Sequence, residues 1–225
     1  DLNIEAVNFL AALERRMQVR AVAKGVRKTR SKFGGRLEPT CHVDVQLHKG
    51  RSDLQIVTQA ESLDTFTSLR SDPDRFAEAS ALLEVAERLA PEGEGDRRRY
   101  DMLVGALRTL DQRPSPLLVP AFFLKVLAHE GLAPALDACV RCQATEHLVA
   151  IDVGEGGVLC DDCRRGRPVS ESALAVMRAV LGGHLATALE VEDARVCGEV
   201  DAVATDAIEY HLERRVRSRR VMEKA

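Results

Sequence analysis

The sequence predicts an α+β protein: a small antiparallel β-barrel, then a mostly α-helical domain that carries a short cysteine-rich ribbon. Three observations carry this reading. Apolar and polar residues alternate in runs between residues 17 and 60, apolar residues recur every three to four positions from Pro73 onward, and two Cys-x-x-Cys knuckles stand seventeen residues apart. The knuckles are Cys139-Val140-Arg141-Cys142 and Cys160-Asp161-Asp162-Cys163. The expected domains are 1–66 and 67–225, with the ribbon inserted at 136–167 of the second.

Residues 1–16 fit either a short amphipathic helix, using Leu2, Val7, Phe9, Leu10 and Leu13, or an edge strand over 4–10. From Met17 the period becomes two. Val19, Ala21 and Ala23 alternate with Gln18, Arg20 and Val22, and this strand ends at Gly25. Val43, Val45 and Leu47 alternate with His42, Asp44, Gln46 and His48; after a turn at Lys49-Gly50-Arg51-Ser52-Asp53, residues 54–60 form a further strand. A twisted antiparallel sheet of this size is expected to close as a barrel, which removes its edges.

Asp72 is placed as an N-cap with Pro73 at the first helical position, and Phe76, Ala79, Leu83, Ala86 and Ala90 then recur at helical spacing. Beyond the solvated linker at 91–95, Tyr100, Leu103, Val104, Leu107 and Leu110 mark a second helix, stopped by Arg113-Pro114-Ser115-Pro116. Residues 117–127 are apolar nearly all round, so the third helix belongs at the centre of a helical core; Gly131 and Pro134 end it. Ser170 caps a helix with Leu174, Met177 and Leu181 inward, which stops at Gly182-Gly183. The last helix is expected from about Val200, with Val203, Ala207, Ile208, His211 and Leu212 on one side. It runs into Arg214, Arg215, Arg217, Arg219 and Arg220. The helix macrodipole accounts for part of that cationic end, and the same run is a candidate second phosphate-contacting patch.

A hydrophobic content of 45% over 225 residues suffices for an ordinary buried core. No run of eighteen apolar residues and no signal-peptide layout occurs, so a cytosolic location is expected. In a reducing compartment, paired Cys-x-x-Cys motifs are metal ligands more often than disulfides, while Cys41 and Cys197 read as small buried hydrophobes. Cys139, Cys142, Cys160 and Cys163 make a complete tetrahedral thiolate set for Zn2+, with no position left for water, so the metal is structural. The ribbon between the knuckles, strands at 148–153 and 158–159 around a turn at Gly154-Glu155-Gly156-Gly157, is too small to fold on hydrophobic burial alone. Structural zinc contributes about 10–16 kcal/mol in isolated finger peptides. Neither a phosphate-binding Gly-x-x-x-x-Gly-Lys loop nor a Gly-x-Ser-x-Gly or His-Glu-x-x-His motif occurs, and nothing in the chain points to an enzyme.

The net charge of −3 conceals one concentrated cationic segment. Arg20, Lys24, Arg27, Lys28, Arg30, Lys32 and Arg36 fall within 20–36, which contains no acid. They flank Phe33-Gly34-Gly35 between two barrel strands, where oligonucleotide-binding barrels place contacting loops, and Phe33 is the aromatic positioned to stack on a base. Neutralising about six phosphates gives a log–log salt slope of roughly −4 for single strands. The plainer alternative is a solvated surface loop.

Four strings then carry a resemblance: Val-Arg-Ala-Val-Ala-Lys-Gly-Val-Arg (19–27), Ser-Lys-Phe-Gly-Gly-Arg-Leu-Glu-Pro (31–39), Val-Thr-Gln-Ala-Glu (57–61) and Tyr-His-Leu-Glu-Arg-Arg-Val-Arg-Ser (210–218). With the helical block and the knuckles between them, residues 17–222 resemble the bacterial RecO recombination-mediator family. In that family a strand and long hairpin precede the first string, and Glu5-Ala6-Val7 is their echo here. The resemblance implies an OB-fold barrel, a helical domain and a zinc ribbon. It implies a non-enzymatic, nucleoid-associated protein that binds single- and double-stranded DNA and anneals complementary strands. Its partners would be a RecR-like protein and the single-stranded-DNA-binding protein, with indirect help to a RecA-type recombinase in loading. The DNA-contact role carries over to Lys24, Arg27, Arg30, Lys32 and Arg36, and Lys28 joins them by charge and position. Two rivals stay open. One is a zinc-ribbon transcription or translation factor that binds through Arg141, Arg164, Arg165 and Arg167, and the other is an interaction adaptor without nucleic acid.

Overall fold

The structure is a computed structural model that describes residues 6–10, 18–26, 28, 30–38, 40–49, 55–90 and 95–218, with 6–10 and 18–20 described as backbone. Its contacts divide the chain into two units, Asp1–Gln112 and Arg113–Ala225.

The first unit is built on one sheet. Strand β1 (Ala6–Leu10) runs antiparallel to β2 (Gln18–Val22), so that residues 6–10 take the strand alternative. Strands β3 (His42–Lys49) and β4 (Gln55–Asp64) form the expected antiparallel hairpin, with register shifts beside Val43 and Leu47. Strand β4 also lies parallel to β2 through Ala21↔Gln55 and Val22↔Ile56, giving the order β1-β2-β4-β3.

This corrects the expectation of a closed, wholly antiparallel barrel. Among the described residues β1 and β3 are the sheet's edges and no pairing joins them. The reason lies in the connection: residues 23–41 carry the chain past the place beside β2, which β4 then fills in parallel. Among the described residues, Ala21, Val43, Val45, Val57 and Ala60 of the sheet are buried in one core, to which the connection adds Ala23, Phe33 and Leu37.

Among the described residues, three helices complete the unit. Helix α1 (Thr67–Ser71) carries no local cap; instead Asp111 Oδ1 accepts from the Ser68 and Leu69 N–H groups at 2.9 and 3.1 Å. Helix α2 (Pro73–Leu89) begins as anticipated, with Asp72 Oδ1 accepting from the Asp74 and Arg75 N–H groups. Its buried stripe is Ala79, Ala81, Leu82, Val85 and Ala86, whereas Phe76, expected inside, is 39% exposed. The helix packs against both α1 and α3, so its inward face is turned from the one that the apolar spacing alone selects. Helix α3 (Arg97–Gln112) supplies Asp111 and reaches back to the sheet: Arg108 donates to Asp64 Oδ2 at 2.8 Å, and the Tyr100 hydroxyl lies 2.6 Å from His42 Nε2. These links explain why the first unit extends to Gln112, beyond the sheet.

The second unit centres on α4 (Leu118–His129), nine of whose twelve residues are buried, as its all-round apolar sequence requires. A ribbon of β5 (Leu148–Asp152), β6 (Gly157–Cys160) and the two-residue β7 (Arg167–Pro168) follows in the order β6-β5-β7. Helix α5 (Glu171–Leu181) is capped by Ser170 Oγ, which accepts from the Ala173 N–H, and a short α6 (Leu185–Ala188) comes next. Helix α7 (Ala194–Leu212) starts earlier than Val200, because Asp193 caps it by accepting from the Arg195 and Val196 N–H groups. Helices α5 and α7 pack on α4. Cys197 is buried as expected, and Cys41 is half-buried. Among the described residues, no helix is long and apolar enough to cross a membrane.

Candidate metal centre and nucleic-acid interface

Both knuckles are tight turns at the ends of ribbon strands. In the first, the Gln143 N–H donates to the Cys139 carbonyl at 2.9 Å and the Cys139 N–H to the Ala144 carbonyl at 2.8 Å. The second begins where β6 ends at Cys160 and turns through a single 3-10 turn, Asp161–Cys163. Backbone pairing brings them together: the Val140 N–H donates to the Val158 carbonyl, the Val158 N–H to the Ala135 carbonyl and the Ala135 N–H to the Gly156 carbonyl, each at 2.9 Å. This approach requires Gly157, since a Cβ there would run into the Ala135 carbonyl oxygen.

All four Sγ atoms lie within 4.8 Å of one another, and Cys142 and Cys160 Sγ are 3.5 Å apart. A tetrahedral zinc with Zn–S bonds of about 2.3 Å has sulfurs about 3.8 Å apart, so the four cysteines fit that ion. The thiols themselves point the same way. Burial pushes the Cys139 thiol up, but the backbone N–H groups of Cys142, Cys160 and Arg141 outweigh it and hold the group at about 6. Burial, and then the thiols of Cys142, Cys160 and Cys139, push Cys163 up to about 12. The Cys139 thiolate forms readily while Cys142 and Cys163 resist a second negative charge, which a bound dication relieves.

Sequence reasoning missed the acid beside this cluster. Glu155 accepts from Arg141 Nε and Nη2 at 2.6 and 2.9 Å, and Arg165 Nε lies 2.9 Å from the same carboxylate. Arg167 pairs with Asp206 of α7 at 2.6 Å, and Arg178 of α5 donates to the Leu136 carbonyl at the entry to the ribbon. An acid inside a glycine-rich turn, with arginines in or just after each knuckle, is the available signal. Only the folded ribbon makes partners of them. The hydrogen bonds that Arg141 donates to Glu155, and the charge of that carboxylate, raise the Arg141 guanidinium above its ordinary range. Of the ribbon cations named in the rival reading, Arg141, Arg165 and Arg167 are thus held by carboxylates, while Arg164 is exposed.

The basic connection between β2 and β3 folds as successive tight turns. N–H groups of Val26, Lys28, Ser31, Gly34, Arg36, Glu38 and Cys41 each donate to the carbonyl three residues earlier. Gly25 and Gly34 adopt the left-handed conformation, at φ 77° and 56°, that such a path needs. Lys24, Lys28, Arg30, Lys32 and Arg36 are exposed, and none pairs with a carboxylate among the described residues. Arg36 Nη1 donates to the Phe33 carbonyl at 3.3 Å. Arg20 lies on β2, but its side chain, like all of Arg27, Arg219 and Arg220, lies outside the described residues. Arg214, Arg215 and Arg217 are exposed beyond α7, around a buried Val216 whose N–H donates to Glu209 Oε1 at 2.8 Å.

Phe33 is the correction at this surface. It is only 1% exposed, packed into the sheet core beneath Lys32, and so presents no face to a base. Among these turns, its large apolar ring is what covers the open face of a small sheet lined by alanine and valine.

The comparisons with known proteins agree over most of the chain. The family profile described as Recombination protein O N terminal matches residues 15–66, and the one described as Recombination protein O C terminal matches residues 70–220. A protein named DNA repair protein RecO from Frankia casuarinae is 42% identical over 228 aligned positions, covering 98% of this chain and 93% of the relative. Proteins of the same name from Thermobifida fusca and Streptomyces griseus are 40% and 39% identical, covering 98% and 92% of this chain and 93% and 88% of theirs. With both halves of the chain matched and the four cysteines gathered at one point, the chain belongs to the RecO family of DNA repair proteins.

Proposed function

We propose that this protein is a non-enzymatic, cytoplasmic mediator of recombinational repair that binds single- and double-stranded DNA and anneals complementary strands. The observation that carries the DNA-binding reading is the set Lys24, Lys28, Arg30, Lys32 and Arg36: five exposed cations on one connection, with no carboxylate partner among the described residues. Cations in a glycine-bearing loop whose charge no carboxylate offsets can neutralise phosphates. In annealing they lower the repulsion between two backbones, and no covalent step is needed. The segment 1–66 is the nucleic-acid module in this reading, with Arg20 and Arg27 contributing. The arginines at 214, 215, 217, 219 and 220 are a second phosphate patch.

The four cysteines hold a structural Zn2+ that keeps the ribbon folded and touches no substrate. A RecR-like protein, the single-stranded-DNA-binding protein and, indirectly, a RecA-type recombinase are the partners that family membership suggests. The ribbon arginines support the rival zinc-ribbon factor poorly, because three of the four are already paired with carboxylates.

Fluorescence anisotropy of a labelled single-stranded oligonucleotide across a salt series tests the reading. The native chain is expected to show a log–log slope of roughly −4, and Lys28→Glu with Arg30→Glu to flatten it at unchanged zinc content. Absent or salt-insensitive binding by a folded, zinc-loaded sample would sink the proposal.

A further inference from the structure

The two knuckles are separated by seventeen residues, so something must hold them in register around the metal. Three charged residues are placed to do so. Arg141 sits inside the first knuckle, between Cys139 and Cys142, and Arg165 follows the second knuckle two residues after Cys163. Glu155 lies in the turn between β5 and β6. Its Oε2 accepts from Arg141 Nε at 2.6 Å; its Oε1 accepts from Arg141 Nη2 at 2.9 Å and lies 2.9 Å from Arg165 Nε.

One carboxylate therefore grips the flank of each knuckle. The Arg141 arm is bidentate, the strongest common geometry for such a pair. The turn is itself braced, because the Glu155 N–H donates to Asp152 Oδ1 and the Gly156 N–H to the Val153 carbonyl, both at 3.1 Å. These bonds fix the backbone of Glu155 independently of either arginine. Four thiolates around a dication carry a net charge of about −2, and the two guanidiniums beside them offset it. The other nearby charges are differently placed: Asp161 and Asp162 are exposed within the second knuckle, and Arg178 bonds to Glu171 and the Leu136 carbonyl.

We infer that Arg141, Glu155 and Arg165 form a clasp that holds the two knuckles together and slows the release of zinc, with Glu155 as the positioning residue. The inference rests on the reading that the four cysteines hold zinc. Because the clasp side chains are 24–47% exposed, salt weakens their pairing, so release quickens with ionic strength.

The test measures zinc release from the full-length, zinc-loaded protein into a chromogenic chelator between low and high sodium chloride. Glu155→Gln is expected to release zinc roughly 3- to 10-fold faster at low salt, with Arg165→Gln intermediate. Native release should accelerate with salt toward the Glu155→Gln rate, while that variant stays nearly insensitive. Arg167→Gln removes an ion pair of similar exposure in the same ribbon without touching either knuckle, and should leave release unchanged. Should Glu155→Gln fail to load zinc, Arg165→Gln alone decides, since it keeps the bidentate arm. Equal rates in native and variant protein overturn the clasp, as does an Arg167→Gln effect as large as that of Glu155→Gln. A native sample without zinc overturns the metal assignment itself, and zinc analysis separates the two failures.

Discussion

Lys32 Nζ stands 4.9 Å from the centre of the Phe33 ring and donates a hydrogen bond of 2.9 Å to the Thr58 carbonyl oxygen. The cation therefore marks the outer surface of the basic connection at the point where the next residue plugs the sheet. Adjacent positions in the chain part ways: Lys32 is exposed to solvent, and Phe33 holds the connection down on the sheet.

That division sets the outcome for Phe33→Ala. Removing a ring that is 1% exposed should cost about 3–5 kcal/mol in denaturant unfolding of the first unit. DNA affinity per folded molecule should change little, and Phe33→Leu should restore most of the stability. A selective loss of affinity at native stability would show that the ring does meet a base.

Removal of zinc should act on the ribbon first. A strong chelator, or Cys160→Ser, is expected to abolish hydrogen-exchange protection over β5 and β6 while β3 and β4 in the first unit keep theirs. Full protection of the ribbon in metal-free protein would mean that backbone pairing and burial suffice to hold the knuckles.

Glycines separate by what surrounds them. Gly166, at φ 77°, has the Ile151 carbonyl oxygen where a Cβ would go, and Gly157 meets the Ala135 carbonyl oxygen in the same way. Alanine at either site should cost at least about 2 kcal/mol. Gly105 in α3 has nothing within 4 Å, and Gly105→Ala should stabilise by about 0.5–1 kcal/mol. Urea titrations of the three variants check both signs.

Asp64 ties pH to the first unit. The hydrogen bond accepted from His42, and after it those from Arg108, hold its carboxyl below the usual carboxylate range despite some opposing burial. A depressed folded-state value contributes stability that is present above the unfolded value of about 3.9 and is lost as pH falls through the lower folded value. Asp64→Asn should cost about 1 kcal/mol at pH 7 and flatten the stability profile below pH 4. An unchanged acid limb would remove Asp64 from the account.

Much of this was legible in the residues themselves. Alternation over 42–48 sets the faces of β3, Asp72-Pro73 starts α2 and Ser170 starts α5, because each signal acts within a few residues of its effect. The knuckle spacing likewise names all four metal-site cysteines, since two tight turns are enough to present two thiolates each.

What tertiary structure alone decided is who meets whom. Period two says which side of a strand is apolar, but not that β4 lies beside β2, so sheet order and openness came from long-range pairing. The cap on α1 comes from Asp111, more than forty residues away, and the partner of both Arg141 and Arg165 is Glu155 in the glycine-rich turn. Phe33 has the composition of a stacking residue and the burial of a core residue, because it packs with Leu37 against the alanines and valines of the sheet. Local pattern determines which groups are offered; the closure of distant segments, which costs chain entropy and is favoured only when apolar surface and partners are found together, determines which are used.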